Sequence, residues 1–245
     1  MQRPILKSTN ITNEPFANLI YHIEGELVPS LTVEVNPNQG ILFEHHVMLW
    51  KNTNLSIGTA SMKGGVKRML AGLPLILLQA SGEGQIAFSR NGAGQVIPIH
   101  LEPGQEIDVR EHQYLAASSN LEYTYARVSG VSSVLFGGTG FFIDKFRATN
   151  SAGIVWLHGY GNVFEKTLEA NEQIDVEPGS WLYKDPSVKM DTNIQRFTTG
   201  MMASTNFFCN RFTGPGRIGI QSMSTIIASE ASGSGGGLLG KLLGN

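Results

Sequence analysis

The six histidines are the first residues to examine for metal chemistry. His45 and His46 are adjacent, so in a strand they would point to opposite faces and could not both reach one metal ion. The remaining four are scattered along the chain: His22, His100, His112 and His158. The His-x-His pattern followed by glutamate that is typical of a cupin metal site is missing. A cupin-like metal enzyme stays an alternative, but we expect neither a metal ion nor a cofactor.

Candidates for catalysis by a nucleophile or by an acid–base pair are equally few. Cys209 lies in a strand-like run, where a free cysteine commonly acts as a small buried hydrophobe. The chain has no Gly-x-Ser-x-Gly elbow and no phosphate-binding Gly-x-x-x-x-Gly-Lys-Ser/Thr loop. Asp108 and Asp175 occupy equivalent positions of a repeat and could form an acid–base couple, but the first copy has Leu42 there. We favour symmetric surface residues or a turn contact, and predict a protein that is not an enzyme.

Two glycine-rich motifs could bind a partner. In the first, Lys67 and Arg68 lie between Gly64-Gly65 and Gly72. This segment is either a basic loop at an interface or anion site, or a linker whose charges are solvated. The second motif has Gly214, Pro215 and Gly216 at its start and Gln221 near its end. It could be a ligand loop, but a hairpin turn explains its residues fully.

These residues sit on a repeat that organises most of the chain. Three segments that begin at Val35, Leu101 and Leu168 align without gaps. Within them two sets of apolar positions stay in register: Ile41, Ile107 and Ile174, followed by Leu49, Leu115 and Leu182. Matched apolar positions over about twenty residues indicate that one structural unit is used three times.

A second kind of segment alternates with the first and has the pattern of a hairpin with a glycine-containing turn. Its copies are Gln79–Phe88, Arg147–Trp156 and Arg211–Ile220. If each hairpin pairs with the first-kind segment that follows it, the last hairpin, near Phe208–Gln221, must pair with the N-terminal segment near Leu31–Ile57. We therefore predict a closed β-structure with pseudo-threefold symmetry and with its two ordered ends adjacent, a closure that would remove free sheet edges.

Alternation of side chains predicts an all-β fold. Leu31, Val33 and Val35 would share one face of a strand, and the 29 glycines are consistent with many tight turns. We divide the chain into an N-terminal extension over residues 1–15, a single triplicated β domain over 16–228, and a tail over 229–245.

The composition limits the classes of function. With 18 Lys and Arg against 20 Asp and Glu, the formal net charge is −2, which disfavours nucleic-acid binding through bulk electrostatics. A single cysteine allows no intrachain disulfide and fits a reducing compartment. The N-terminus lacks the apolar stretch of a secretory signal, and the longest plain apolar run, Leu75–Leu78, is too short for a membrane span. We expect a cytoplasmic protein.

The tail has a different composition from the rest of the chain. Residues 231–237 are glycine and serine apart from Ala231, which is typical of a flexible linker. Four leucines follow: Leu238, Leu239, Leu242 and Leu243. The segment is either a frayed terminus or an apolar peptide that docks on a neighbouring subunit, a partner or a membrane surface.

Several motifs together resemble the family called altered inheritance of mitochondria protein twenty-four, a mitochondrial-biogenesis family with bacterial members. They are Gly-Gly-x-Lys-Arg-x-Leu-Ala-Gly at 64–72, Gly-x-Gly-Phe-Phe at 138–142, Leu-Glu-x-x-Glu-x-Ile-Asp-Val at 168–176, and Gly-Pro-Gly-x-Ile-x-Ile-Gln-Ser at 214–222. The resemblance covers about residues 18–226. The first repeat departs from the family pattern, with Glu44-His-His-Val-Met48 in place of a more glycine-rich turn.

The resemblance implies a fold similar to that of the trp RNA-binding attenuation protein (TRAP), a double-stranded β-helix or β-prism unit repeated three times and often assembled as trimers. It also implies an association with membrane organisation rather than a known reaction. Our leading hypothesis is a non-enzymatic homo-oligomeric scaffold, with a trimer favoured, that binds an unidentified protein partner or touches a membrane peripherally through its four C-terminal leucines. The alternative is a small-ligand or nucleic-acid binding module that uses the loops between repeats.

Overall fold

The structure is a computed structural model that describes residues 3–7, 10–60, 77–128, 141–199 and 203–224. These residues form 21 β-strands and no helix, so the prediction of an all-β protein is confirmed. In particular, the described ranges contain no helix with the length and hydrophobicity that a membrane span requires. The strands form several antiparallel sheets that do not close on themselves.

Three short strands precede the main body. They are β1 (Ile5–Leu6), β2 (Ile11–Phe16) and β3 (Leu19–Glu24). β2 and β3 form a hairpin whose second strand pairs with β4, whereas β1 pairs with β16 in the last third of the chain. The N-terminal extension is therefore paired at both of its ends.

The remaining strands fall into three consecutive groups of six, which we call units 1, 2 and 3. Unit 1 contains β4 (Ser30–Val35), β5 (Ile41–Glu44), β6 (Met48–Lys51), β7 (Ser56–Thr59), β8 (Leu77–Ser81) and β9 (Gly84–Phe88). Unit 2 contains β10 (Gly94–Leu101), β11 (Glu106–Arg110), β12 (Tyr114–Ser118), β13 (Glu122–Val128), β14 (Phe141–Arg147) and β15 (Gly153–Tyr160). Unit 3 contains β16 (Val163–Leu168), β17 (Gln173–Val176), β18 (Trp181–Lys184), β19 (Lys189–Thr199), β20 (Ala203–Thr213) and β21 (Gly216–Gln221).

Each unit pairs its own strands in the same order. The first and third strands pair with the sixth, and the second and fourth pair with the fifth. A hairpin therefore pairs with the segment that precedes it. The predicted closure, in which the Leu31–Ile57 segment pairs with the hairpin near Phe208–Gln221, is wrong: the N-terminal segment pairs with β8 and β9 instead. For the last hairpin, pairing with the segment directly before it closes a far shorter loop than pairing with the N-terminal segment would, which costs less conformational entropy.

Adjacent units are joined by strand pairing at two places, which we call seams. At the first seam β5 of unit 1 pairs with β12 of unit 2, and at the second seam β11 of unit 2 pairs with β18 of unit 3. Each seam extends a three-stranded half-sheet of one unit with a half-sheet of the next. The resulting orders are β10-β15-β12-β5-β8-β7 in the first case and β1-β16-β21-β18-β11-β14-β13 in the second.

The core follows from side-chain alternation in the strands and crosses both seams. Leu31, Val33 and Val35 are buried on one face of β4, as their spacing predicts. The apolar cluster of unit 1 includes Trp156 from unit 2, and the cluster of unit 2 includes Tyr183 from unit 3. The seams are therefore held by apolar burial as well as by backbone hydrogen bonds.

Candidate functional site

Of the two glycine-rich motifs, the structure describes the second and not the first. The basic segment with Gly64, Gly65, Lys67, Arg68 and Gly72 lies outside the described residues, and so do the four leucines of the tail. The second motif forms the turn between β20 and β21. This location agrees with the hairpin interpretation.

The contacts of that turn hold the chain in place. Gly214 donates its backbone N–H to the carbonyl of Glu172 at 2.9 Å, and Gly216 has a φ of +134°, which favours glycine. Gln221 is buried: its side-chain amide donates to the carbonyl of Gly179 at 2.9 Å, and its side-chain oxygen accepts the N–H of Tyr160 at 3.0 Å. Each of these groups has a partner within the protein, so the motif stabilises the start and end of β21.

Asp108 does not lie on the surface, so the prediction of a symmetric surface residue or turn contact is wrong for it. It is buried at the second seam, where its carboxylate accepts hydrogen bonds from Lys184 across the seam and from Lys145 on β14, each at 2.7 Å. A buried carboxylate needs such partners because losing its hydration is costly. Asp175 is exposed and pairs with Arg211 of its own unit.

The first seam has an apolar pair at the corresponding register. Leu42 lies opposite Ala117 there, as Asp108 lies opposite Lys184 at the second seam. The same two register positions therefore face each other at both seams, as an apolar contact at the first seam and as a buried ion pair at the second. Asp108 acts in packing between units, where its carboxylate is paired with Lys184 and Lys145.

A cluster of titratable groups surrounds a buried carboxylate at the end of the first seam. Glu44, at the end of β5, is 1% exposed. Its carboxylate lies 3.7 Å from the guanidinium of Arg90, 3.3 Å from Nε2 of His46 and 3.9 Å from Nδ1 of His112. Three nitrogens that can carry positive charge therefore surround one buried negative charge.

Arg90 also ties unit 1 to unit 2. Its guanidinium donates to the backbone carbonyls of His112 and Tyr114, which flank the start of β12. His112 has a φ of +62°, an uncommon conformation for a residue other than glycine. The Arg90 hydrogen bonds thus fix the backbone from which the His112 imidazole approaches Glu44.

Electrostatic coupling inside this cluster shifts its pKa values. Burial alone would raise the pKa of Glu44, but the neighbouring His112, Arg90 and His46 hold it below its usual value. The contact with Glu44 raises the pKa of His112. Partial burial lowers the pKa of His46 despite the nearby carboxylate. The ionised form of Glu44 is thus the one that the fold stabilises.

Neither Glu44 nor Arg90 had a role predicted from the sequence. The departure from the family pattern at residues 44–48 was the available signal, since it places an acidic residue and two histidines in one turn. Arg90 had no such signal, because it reaches Glu44 from 46 residues further along the chain. Among the described residues, no group of three or more His, Cys, Asp or Glu side chains is arranged to hold a metal ion.

An exposed apolar row distinguishes β6 from the equivalent strands of the other units. Met48, Leu49 and Trp50 are 37%, 54% and 45% exposed. The corresponding side chains of β12 and β18 are all buried. Three consecutive exposed large apolar side chains on a sheet are unusual on a solvated surface, and such rows mark surfaces that bind another chain or a membrane.

Comparisons with known proteins found a family match and a similar fold, and each covers most of the chain. A family model described as "Mitochondrial biogenesis AIM24" matches residues 21–223. A crystal structure of a protein from Streptococcus pyogenes has a similar fold, with a TM-score of 0.66 and 17% sequence identity over 87% of this chain and 97% of that one. An identity this low shows similarity of fold alone. A search of curated proteins found no match.

We predict that removing one partner of the buried pair destabilises the protein far more than removing both. Asp108→Ala leaves the Lys184 ammonium buried and uncompensated, and we expect a loss of about 3–5 kcal/mol in the free energy of unfolding. Asp108→Leu with Lys184→Met copies the apolar solution of the first seam and should recover most of that loss. Urea denaturation measures both variants, with Glu24→Gln as an exposed control. Equal losses in the single and double variants would contradict this account.

We also predict that His158 makes stability fall in mild acid. Burial first, and then the nearby charge of Arg90, lower the pKa of His158 to about 4 from its ordinary value of 6.5. The folded state keeps the imidazole neutral while the unfolded state protonates it, so the contribution is complete above pH 6.5 and is lost as the pH falls toward 4. The loss should be about 3 kcal/mol.

The measurement is the free energy of unfolding between pH 7 and pH 4. His158→Gln retains a side-chain amide that can reach the Gly92 carbonyl, which His158 contacts at 3.2 Å, but it cannot titrate. The variant should therefore show a shallower decline with acid than the wild type, because other groups titrate in both proteins. Identical slopes for the two proteins would show that His158 does not carry the effect.

Proposed function

The chain belongs to the mitochondrial biogenesis AIM24 family, as its motifs predict, and on that premise we propose that it is a non-enzymatic homo-oligomeric scaffold. The observation that carries the proposal is the exposed row of Met48, Leu49 and Trp50 on a strand whose equivalents are buried between units. Burial of such a row in an assembly removes apolar surface from water, which is the main favourable term in protein association.

The use of charged residues supports the same proposal. Asp108 and Lys184 form an ion pair between units 2 and 3, and Glu44 pairs with Arg90 at the other seam. These groups have partners that hold the architecture together, which is what a scaffold requires. We further infer that the three units derive from one triplicated β-unit of TRAP-like type with pseudo-threefold symmetry, because each pairs its strands in the same order.

The scaffold is proposed to act in the cytoplasm on a protein or membrane-associated partner. Leu238, Leu239, Leu242 and Leu243 would add a peripheral contact with that partner. Four leucines within six residues can insert into the interface of a bilayer, but a segment this short gives reversible binding.

We predict that the purified chain is an oligomer at micromolar concentration. The mass of one chain is 26.6 kDa, and we expect light scattering to give a multiple of it, with three copies favoured. The physical reason is that an assembly would cover the exposed apolar row. A monodisperse monomer over the micromolar range would overturn the scaffold proposal.

Membrane contact is tested separately. We expect the full chain to float with vesicles that contain anionic phospholipid, and a chain without residues 231–245 to remain in the dense fraction, because only the former carries the leucines. A full-length variant with serine at all four leucine positions is the matched control and should behave like the shortened chain. Equal flotation of all three proteins would remove the tail from the proposed contact.

A further inference from the structure

The two seams define a rule for how one unit joins the next. In both, the second strand of one unit pairs with the third strand of the following unit. Each seam thereby completes a sheet from two half-sheets of three strands. The rule also states which strands would form another seam after unit 3: its second strand, β17, and the third strand of a unit 1, β6.

Within the described residues these two strands end their sheets. β6 is the last strand of the sheet ordered β2-β3-β4-β9-β6, and β17 is the first strand of the sheet ordered β17-β20-β19. The two sheets are the half-sheets that remain after the two seams have formed. A sheet edge carries a row of backbone N–H and C=O groups that can pair with a strand of matching shape.

The exposure of side chains differs between strands that form a seam and strands that end a sheet. All four residues of β5 are buried, and in β11 only the first residue, Glu106, is partly exposed, because both strands are covered at a seam. In β17 only Val176 is buried, while Gln173 and Asp175 are exposed. The exposed residues of β6 and Asp175 of β17 therefore occupy positions that are buried wherever a seam has formed.

The register of the formed seams predicts which residues would meet. Leu42 lies opposite Ala117 at the first seam, and Asp108 lies opposite Lys184 at the second. The equivalent positions on the two remaining edges are Asp175 on β17 and Lys51 on β6. The charges are complementary and have the same sense as in the second seam, with the acid on the second strand and the lysine on the third.

The neighbouring position is complementary in shape and polarity. Phe43 lies opposite Ala116 at the first seam, and Val109 lies opposite Tyr183 at the second. The equivalent pair is Val176 on β17 and Trp50 on β6. A small branched side chain would thus again face a large aromatic one, as Val109 faces Tyr183.

Lys51 already has the conformation that this contact needs. Its ammonium lies 3.3 Å from the carbonyl of Asn52, the residue that follows it, as the Lys184 ammonium lies 3.5 Å from the carbonyl of Asp185. Lys184 uses another donor on Asp108. An ammonium has three donors, so Lys51 can keep its bond to the Leu55 carbonyl at 2.8 Å and still reach an acid.

We propose that β17 of one copy of this chain pairs with β6 of a second copy, so that Asp175 faces Lys51 and Val176 faces Trp50. This third seam rests on the proposed homo-oligomeric function and names the surface that forms it. The resulting sheet would run β2-β3-β4-β9-β6 in one copy and continue as β17-β20-β19 in the next. Because the two edges differ, the contact is head-to-tail and builds a ring if the rotation closes.

Charge exchange tests the register. Lys51→Glu and Asp175→Lys each place like charges in opposition and should weaken association at least tenfold, seen as a shift toward the monomer in sedimentation velocity. The double variant Lys51→Glu with Asp175→Lys restores opposite charges across the seam and should recover most of the wild-type mass, with a partial loss because Asp175→Lys also removes the pair with Arg211 in its own copy. Lys189→Glu makes the same charge change on β19, at the far edge of the same sheet, and should have no effect. Circular dichroism confirms that each variant is folded.

A cross-link supplies a second readout that does not need the charges. In a Cys209→Ser background, Lys51→Cys and Asp175→Cys are made in separate chains, mixed, and treated with a short bismaleimide. The mixture should give a covalent dimer, and neither chain alone should do so. The chain that carries both cysteines should give a ladder of dimers and larger species.

The outcomes separate this proposal from the broader one. If the oligomer has the same mass in the wild type and in the charge variants, and gives no cross-link, the third seam is overturned and the scaffold proposal still stands. A monomer would overturn both. A cross-link formed within one chain, or one that appears only after residues 231–245 are removed, would show that another part of the same chain occupies the edge and would also overturn the proposal.

Discussion

Backbone pairing between the second strand of one unit and the third strand of the next is the interaction on which this structure depends. Each half-sheet of a six-stranded unit ends in a strand edge that can take a pairing partner, and at the two seams an adjacent unit provides one. The seams supply that partner and carry the apolar core across the boundary, as Trp156 and Tyr183 show by packing in the cluster of a neighbouring unit. The loss of one seam would expose a strand edge and part of two cores together.

The chemistry at the seams shows how repeated backbone geometry tolerates different side chains. A leucine against an alanine and an aspartate against a lysine occupy the same register at the two seams. The apolar version needs only a close fit, whereas the ionic version needs Lys145 as a further donor to compensate a buried carboxylate. Glu44 and Arg90 add a second ionic contact, which ties the end of β5 to the start of β12. Buried ion pairs therefore lie at both places where units meet.

Several features could be predicted because they depend on local spacing. Alternation placed Leu31, Val33 and Val35 on one buried face, and the glycine-containing turn between β20 and β21 was identified as a hairpin from its residues. The burial of Cys209 in a strand was predicted from its neighbours. Family membership followed from motifs spread over most of the chain. Asp108 was misassigned because nothing near it in the sequence indicates that Lys184 lies opposite.

The sequence by itself determined the strand-rich architecture, the matching positions of the three segments and the family. These depend on side-chain periodicity and on motifs that are contiguous in the chain. Only the tertiary structure decided that each hairpin pairs with the segment before it, that Asp108 is buried while Asp175 is exposed, and that Arg90 reaches Glu44. The physical reason is that strand pairing and ion pairing are contacts through space. Residues with the same spacing can pair forward or backward along the chain, so spacing alone does not decide which partner a strand takes.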